Sequence, residues 1–335
     1  MKKTPPTEQP VKSDTKNISD ETEDEPGYST GKTLCALGLV VCSLLMFTLP
    51  LSKVFLAVDI FTHFALHYMI AGGALLAGFF MPRWHWQTAV VLTIAGVLMI
   101  GYTATHKSKA EEVAVTTGEK RLKLMTFNTW LSNHNWRAVA NEITRKNPDV
   151  VALMEFGREK AALLSALKDR YPYQINCHNV RSCHMAILSR FPFTDSKART
   201  RWKGPPYIRV TFGKQLANLN LFAIHTIRPP HYRAHMKQIG AISTAVNARK
   251  GLKIVMGDFN STPFSRTLNA FANRTKLKRI TSTPSWPAHV GGLPQVAIDH
   301  IFVSPKIKVL LPHSLGKSSG SDHFPVNVVV SVPAS

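Results

Sequence analysis

Apolar positions fall into two regimes along the chain. In the first hundred residues they run together, and beyond residue 121 they come in short runs, each closed by a polar residue. The first regime holds three stretches: 33–51 (TLCALGLVVCSLLMFTLPL), a second within 54–81 that is densest from Phe64 to Phe80, and 86–104. Each approaches the roughly 20 residues that carry a helix across a bilayer. The pattern therefore predicts transmembrane helices at about 33–51, 60–81 and 86–104. Gly72-Gly73 and the connection Arg83-Trp84-His85-Trp86 fit a tight hairpin with interfacial aromatics. A long polar tail precedes the first stretch and more spans follow it, which argues against a cleaved signal peptide. That tail, 1–32, has no apolar period and is expected to be disordered; 105–120 reads as a tether. His63 and His67 sit four apart in the second stretch, and packing or interfacial roles are favoured over a metal or haem site.

The second regime, 121–335, alternates strand-like and helix-like runs. LKLMTF (122–127), DVVALMEF (149–156), YPYQINC, HMAILS, YIRVTF, LNLFAIH, LKIVM, AIDHIFV (297–303) and PVNVVVSV read as strands. Helical patterns fall near 135–146, over 157–170, over 231–250 and from Phe264. Several extended runs follow one another without a helix between them. That order fits two packed sheets with helices outside better than a doubly wound sheet.

Polar residues recur at the strand ends: Asn128, Glu155, His225, Asp258 with Asn260, Asp299, and Asp322 with His323. Alternation along a strand puts Asp258 and Asn260 on one face and turns Phe259 into packing. The same argument gives Asp299 to the site and His300 to the core. Hard carboxylate and amide oxygens suit Mg²⁺, and histidines beside carboxylates suit proton transfer near a phosphoryl group.

Charge sharpens this picture. The chain carries +21 overall, but 1–32 holds five Lys and seven acids, a net of −2. From Arg121 onward, 31 Lys or Arg face nine acids, a net of +22. Such an excess implies an anionic partner. From Lys214 to the end only Asp258, Asp299 and Asp322 are acidic, so each is a candidate for chemistry rather than surface.

Seven blocks in order, TFN (126–128), ALMEF (152–156), MAILSRFPF (185–193), FAIH (222–225), GDFNSTP (257–263), AIDHIFVSP (297–305) and GSDHFP (320–325), make residues 121–335 resemble the endonuclease/exonuclease/phosphatase, or DNase-I-like, superfamily. The three spans and PSWPA (284–288) look like a bacterial membrane-anchored branch of it. The resemblance implies a four-layer α/β/β/α sandwich after three transmembrane helices. It also implies Mg²⁺, with Mn²⁺ the alternative, held by Glu155 with Asn128 and Asp322. His225 would be a donor to the phosphoryl oxygen, and Asp258 with Asn260 would contact attacking water and phosphate. His323 would carry the proton, oriented by Asp299; whether it or Asp258 takes the proton of water stays open. Arg209, on the YIRVTF strand, is a candidate phosphate contact.

The superfamily cleaves many phosphate esters, so the fold does not name the substrate. The basic balance ranks a nuclease first, with Arg199-Thr200-Arg201-Trp202-Lys203 and Lys276, Lys278, Arg279 as either nucleic-acid patches or solvated basic faces. A phospholipase, a sphingomyelinase-like enzyme or a lipid or inositol phosphate phosphatase at the membrane surface is the alternative. Besides a phosphate-ester polyanion and the bilayer, no protein partner is implied. Three spans put the tail and the catalytic domain on opposite sides of a bacterial inner membrane. The positive-inside count is balanced, but Cys177 and Cys183 across a short turn favour a disulfide and an extracytoplasmic domain.

Overall fold

The computed structural model describes residues 30–81, 85–105, 113–115, 117–180, 183–199 and 205–333. Most of the predicted tail and tether, and Thr200 to Lys203 of the first basic cluster, lie outside the described residues. Four helices occupy the apolar regime: α1 (Thr30–Leu51), α2 (Asp59–Thr62), α3 (Ala65–Phe80) and α4 (His85–Thr105). α1 and α4 are each long and apolar enough to cross a membrane. The second stretch is not one straight rod: residues 56–62 and α3 meet at a bend of 60°. Counted as one broken span, they make three.

From residue 119 the chain forms two six-stranded sheets. The first contains β1 (Glu119–Asn128), β2 (Val150–Met154), β3 (Tyr173–Asn176), β4 (Ala186–Ser189), β11 (Lys308–Leu315) and β12 (Val326–Pro333), in the order β11-β12-β1-β2-β4-β3. The second contains β5 (Phe193–Arg199), β6 (Tyr207–Phe212), β7 (Asn220–His225), β8 (Lys253–Asp258), β9 (Lys278–Arg279) and β10 (Asp299–Val303), in the order β5-β6-β7-β8-β10-β9. The helices α5 (Trp136–Lys146) and α6 (Ala162–Ala166) cover the first sheet, and α7 (Tyr232–Asn247) and α8 (Arg266–Thr275) cover the second. A central core joins the sheets through residues such as Leu124, Met154, Ile187, Val210, Met256 and Val330. The four-layer α/β/β/α sandwich is thus present. Central strands such as VVALM are buried at every position because both of their faces are covered.

Local chemistry sets the helix ends. Asn135 accepts from Ala138 N (3.0 Å) at the start of α5, and Asn147 closes that helix in a left-handed conformation. Ser265 caps α8, accepting from Leu268 N. That helix therefore begins at Arg266, two residues later than the sequence pattern suggests. The helix expected over 157–170 shrinks to a 3₁₀ turn and the five residues of α6. Within the 3₁₀ turn Lys160 is fully buried, and its ammonium is tied to the carbonyls of Trp130 (2.8 Å), Leu131 and Glu155. β5 and β11, which the apolar pattern passes over, are edge strands. One is mostly exposed, and the other is interrupted by register shifts and by Pro312.

Candidate active site

Two parallel pairs aim their carboxyl ends at one place. β1 and β2 run parallel and end at Asn128 and just before Glu155; β7 and β8 run parallel with His225 in register with Asp258. β10 is antiparallel to β8 and begins at Asp299, opposite Asp258. Register within each sheet and the packing of the two sheets together gather five of the expected residues. Asp322 and His323 come from the loop before β12, where Ser321 Oγ donates to Asn128 O (2.7 Å).

Gly257 makes the approach of β8 feasible. Its φ is +150°, and a Cβ there would collide with the carbonyl of Ile224 on β7. Asp258 follows at 1% exposure. Its Oδ1 accepts from Asn260 N (2.7 Å), closing an Asx turn that brings Asn260 round with φ +47°. Asn260 Nδ2 donates to Thr226 O (2.9 Å), while Phe259 is buried against Phe271 and Phe302. The shared face of Asp258 and Asn260 is therefore real, but a turn rather than strand alternation produces it. His300 is buried with Nε2 2.8 Å from Ser261 O, a packing role as expected.

Asn128 Oδ1 accepts from Trp130 N (3.0 Å), which fixes the orientation of the amide. Its Nδ2 donates to Asp258 Oδ2 (3.0 Å) and Glu155 Oε1 (3.2 Å). Asn128 thus bridges the carboxylates of Glu155 and Asp258 through its amide nitrogen. Glu155 has a left-handed φ of +49° and also accepts from Leu131 N (2.9 Å). Burial works to raise its carboxyl, but His225, the Leu131 N–H and the Asn128 amide outweigh that and hold it below the usual glutamate range. His225 Nε2 lies 3.7 Å from both Glu155 Oε1 and Asp258 Oδ2.

Asp299 Oδ2 receives two short bonds, from His323 Nδ1 (2.7 Å) and Ser285 Oγ (2.7 Å). His323 Nε2 then lies 3.9 Å from Asp258 Oδ2 and 4.0 Å from Asp322 Oδ1. Burial opposes the imidazolium, yet Asp299, Asp258 and Asp322 overcome it and push His323 up to about 9. Burial, reinforced by Asp299, raises Asp258 to about 6. Trp286 Nε1 donates to Asp322 Oδ2 (3.2 Å). Ser285 and Trp286 belong to PSWPA, whose blocklike appearance is its one sequence signal. Arg209 is not brought to this place: its guanidinium pairs with Asp195 Oδ2 (2.8 Å) and bonds Thr211, and it lines no part of the pocket.

A divalent cation suits this donor set. Asp322 Oδ1 is buried without a hydrogen-bond partner, and Glu155 supplies a second hard carboxylate at the pocket surface. Asp258, Asp299 and His323 also bring ligand atoms within 4.8 Å of one another. In that trio the His323–Asp299 hydrogen bond already engages one donor pair, so it reads as proton-transfer machinery.

The site opens into a cavity of about 810 Å³. Glu155, His225, Asp258, Asn260, Asp322 and His323 contribute to its lining. His231 and, from the segment between α1 and α3, His63 line it as well, which the sequence pattern does not anticipate.

No curated protein sequence matches the chain. Among solved structures, an endonuclease/exonuclease/phosphatase family protein from Bacteroides thetaiotaomicron is similar at 16% identity and a TM-score of 0.53, covering 64% of this chain and 98% of its own. A mannosyl-6-phosphatase from the same organism is similar at 16% identity and a TM-score of 0.51, covering 62% and 99%. A variant of the Staphylococcus aureus beta toxin with bound magnesium ions gives 16% identity, a TM-score of 0.50 and the same coverage. These likenesses concern the fold. The sequence profile of the Endonuclease/Exonuclease/phosphatase family matches residues 125–323, more than half of the chain. The chain belongs to that family of phosphoric ester hydrolases.

Proposed function

We propose that the protein is a membrane-anchored, Mg²⁺-dependent phosphodiesterase whose pocket works at the surface of the bilayer. The observation that carries this reading is the convergence of Asp258 and His323, the latter backed by Asp299, with Glu155 and Asp322 in a cavity also lined by Ile60, His63 and Phe64 of the segment between α1 and α3. Glu155 and Asp322 would hold the cation, with Mn²⁺ the alternative. When bound, it would neutralise charge on the phosphoryl oxygens.

The chain's own groups supply the rest. Asp299 fixes the His323 ring through Nδ1 and leaves Nε2 for the reaction. A water between His323 Nε2 and Asp258 Oδ2, which are 3.9 Å apart, would touch both and be aligned for attack. Asp258 accepts its proton, and His323 donates to the oxygen that develops charge. His225 and Asn260 orient the phosphate.

The substrate reading that the geometry favours is a phosphate ester presented at the membrane, because the cavity lining includes Ile60, Phe64, Trp286, Val296 and Ile298. A nuclease is the second reading, favoured by the net +22 of residues 121–335. An extracytoplasmic catalytic domain is supported by the disulfide between Cys177 and Cys183. Full-length protein in nanodiscs with Mg²⁺, assayed against phospholipids, plasmid DNA and RNA, tests the proposal. Turnover that disappears in Glu155→Ala and His323→Ala is expected. Turnover that survives in both would refute the site.

A further inference from the structure

The segment between α1 and α3 is docked onto the catalytic domain. Asp59, 3% exposed, accepts from Arg266 N (2.6 Å, Oδ1) and Thr267 N (3.4 Å, Oδ2), so a residue of the membrane region sits on the N-terminus of α8. Arg266 Nη1 reaches back to Ser52 O (3.2 Å). His63 Nδ1 accepts from Thr262 N (3.2 Å), within the GDFNSTP block itself. A backbone N–H only donates, so Nδ1 carries no proton and the ring's donor is Nε2. Beyond the bend, His67 Nε2 lies 3.3 Å from Gln295 Oε1, and α4 approaches so closely that a Cβ on Gly101 would strike Leu293.

These contacts place Ile60, His63 and Phe64 in the lining of the catalytic cavity. The same segment exposes Val54 (69%), Phe55 (59%) and Phe61 (43%), which suits insertion at a lipid interface. Among the described residues, Arg228 is the one Lys or Arg that lines the cavity, despite the basic excess of the domain. A nucleic-acid channel would carry a track of such cations beside its stacking aromatics.

We propose that residues 54–64 form a wall of the catalytic pocket, and that the apolar lining they complete receives the hydrocarbon part of a lipid phosphate ester directly from the bilayer. The phosphate then meets the Asp258–His323 floor, with Arg228 and His63 available to its remaining oxygens. This rests on the phosphoester-hydrolase reading and adds its substrate class and route of entry.

The test reads binding without turnover. Full-length protein in nanodiscs, kept in chelator, is irradiated with a glycerophospholipid that carries a diazirine at one acyl terminus, and the labelled residues are mapped. Labelling of Val296 and Ile298, which are 6% and 8% exposed and lie in the domain, is expected beside labelling of outward residues such as Leu37 and Phe47. Ile60→Trp, which fills the wall, should lower the domain labelling about tenfold, the loss of one large apolar contact, and leave the outward labelling in place. Label confined to the outward faces would overturn the proposal, as would displacement of the domain label by an oligodeoxynucleotide. Hydrolysis is assayed separately with Mg²⁺. Pocket labelling without any turnover would sink the hydrolase reading while leaving the lipid subsite standing.

Discussion

Asp299 and His323, 24 positions apart in sequence, are joined by a 2.7 Å hydrogen bond from Nδ1 to Oδ2. Ser285 supports the same carboxylate oxygen from a third segment. The arrangement fixes the ring and sustains its charge, so its removal should affect the chemical step more than the fold. Asp299→Asn is expected to lower kcat by about a hundred- to ten-thousand-fold. Steady-state kinetics on the substrate found by the nanodisc assay, with circular dichroism alongside, would check it. A kcat within a few-fold of wild type would remove the pair from the mechanism.

Glu155 and Asp322 carry the proposed cation. Mg²⁺ at about 100 times its Kd should stabilise the folded state by roughly 2.7 kcal/mol, or about 5–10 °C in Tm for a domain of this size. Thermal melts of the detergent-solubilised protein, with Mg²⁺ and with chelator, measure this shift. Glu155→Gln should abolish it. Arg209→Lys should leave it intact, because that guanidinium is engaged with Asp195 away from the cavity.

Gly257→Ala tests the approach of β8 to β7. Alanine would have to enter the space of the Ile224 carbonyl from a backbone at φ +150°. The next residue is Asp258, so the strain reaches the floor of the pocket. Loss of about 2 kcal/mol or more in stability, the scale of a strained backbone position, and loss of turnover are expected together. Denaturant unfolding that matches wild type would contradict the account.

Much of this site is legible in the sequence because parallel strands deliver chemistry at their carboxyl ends, and runs such as ALMEF and FAIH mark those ends. Asp258, Asp299 and Asp322 stand out for a simple reason: few acids survive in so basic a stretch. The orientation of Asn128 is not legible, since an amide pattern does not say which atom faces a neighbour. The backbone N–H of Trp130 decides it. The support from Ser285 and Trp286 is hidden because serine and tryptophan in a loop have no periodicity to betray them. Hydropathy finds the second apolar stretch but not its bend. Asp59 and His63 leave the membrane pattern to satisfy the backbone N–H groups of Arg266 and Thr262, partners some 200 residues away.

The disulfide gives a test of topology. Cys177 and Cys183 are paired, whereas Cys35 and Cys42 lie free in α1. An impermeant maleimide applied to spheroplasts should label the catalytic domain only after reduction. Labelling without reductant would show the two thiols unpaired on the outer side, and no labelling even after reduction would place the domain in the reducing compartment instead.

Two buried histidines, His235 and His300, should weaken the fold as the pH falls. Burial lowers His235 to about 4, and it lowers His300 to about 4 as well. Each lies below the ordinary unfolded value near 6.5. Between those values the unfolded chain binds more protons than the folded one, so stability rises with pH through the window. The contribution is complete above about pH 6.5 and is lost as pH falls towards 4. At about 1.4 kcal/mol per pKa unit, each ring is worth at most a few kcal/mol. His235 is held by Thr226 Oγ1 (3.1 Å) and His300 by Ser261 O, both beside strand ends that carry the site. Melts in chelator from pH 7.5 to 4.5 should therefore show Tm falling most steeply below pH 6.5. His235→Gln, which offers a neutral amide in place of the ring, should flatten that fall. An equally steep profile in the variant would show that other groups govern the acid transition.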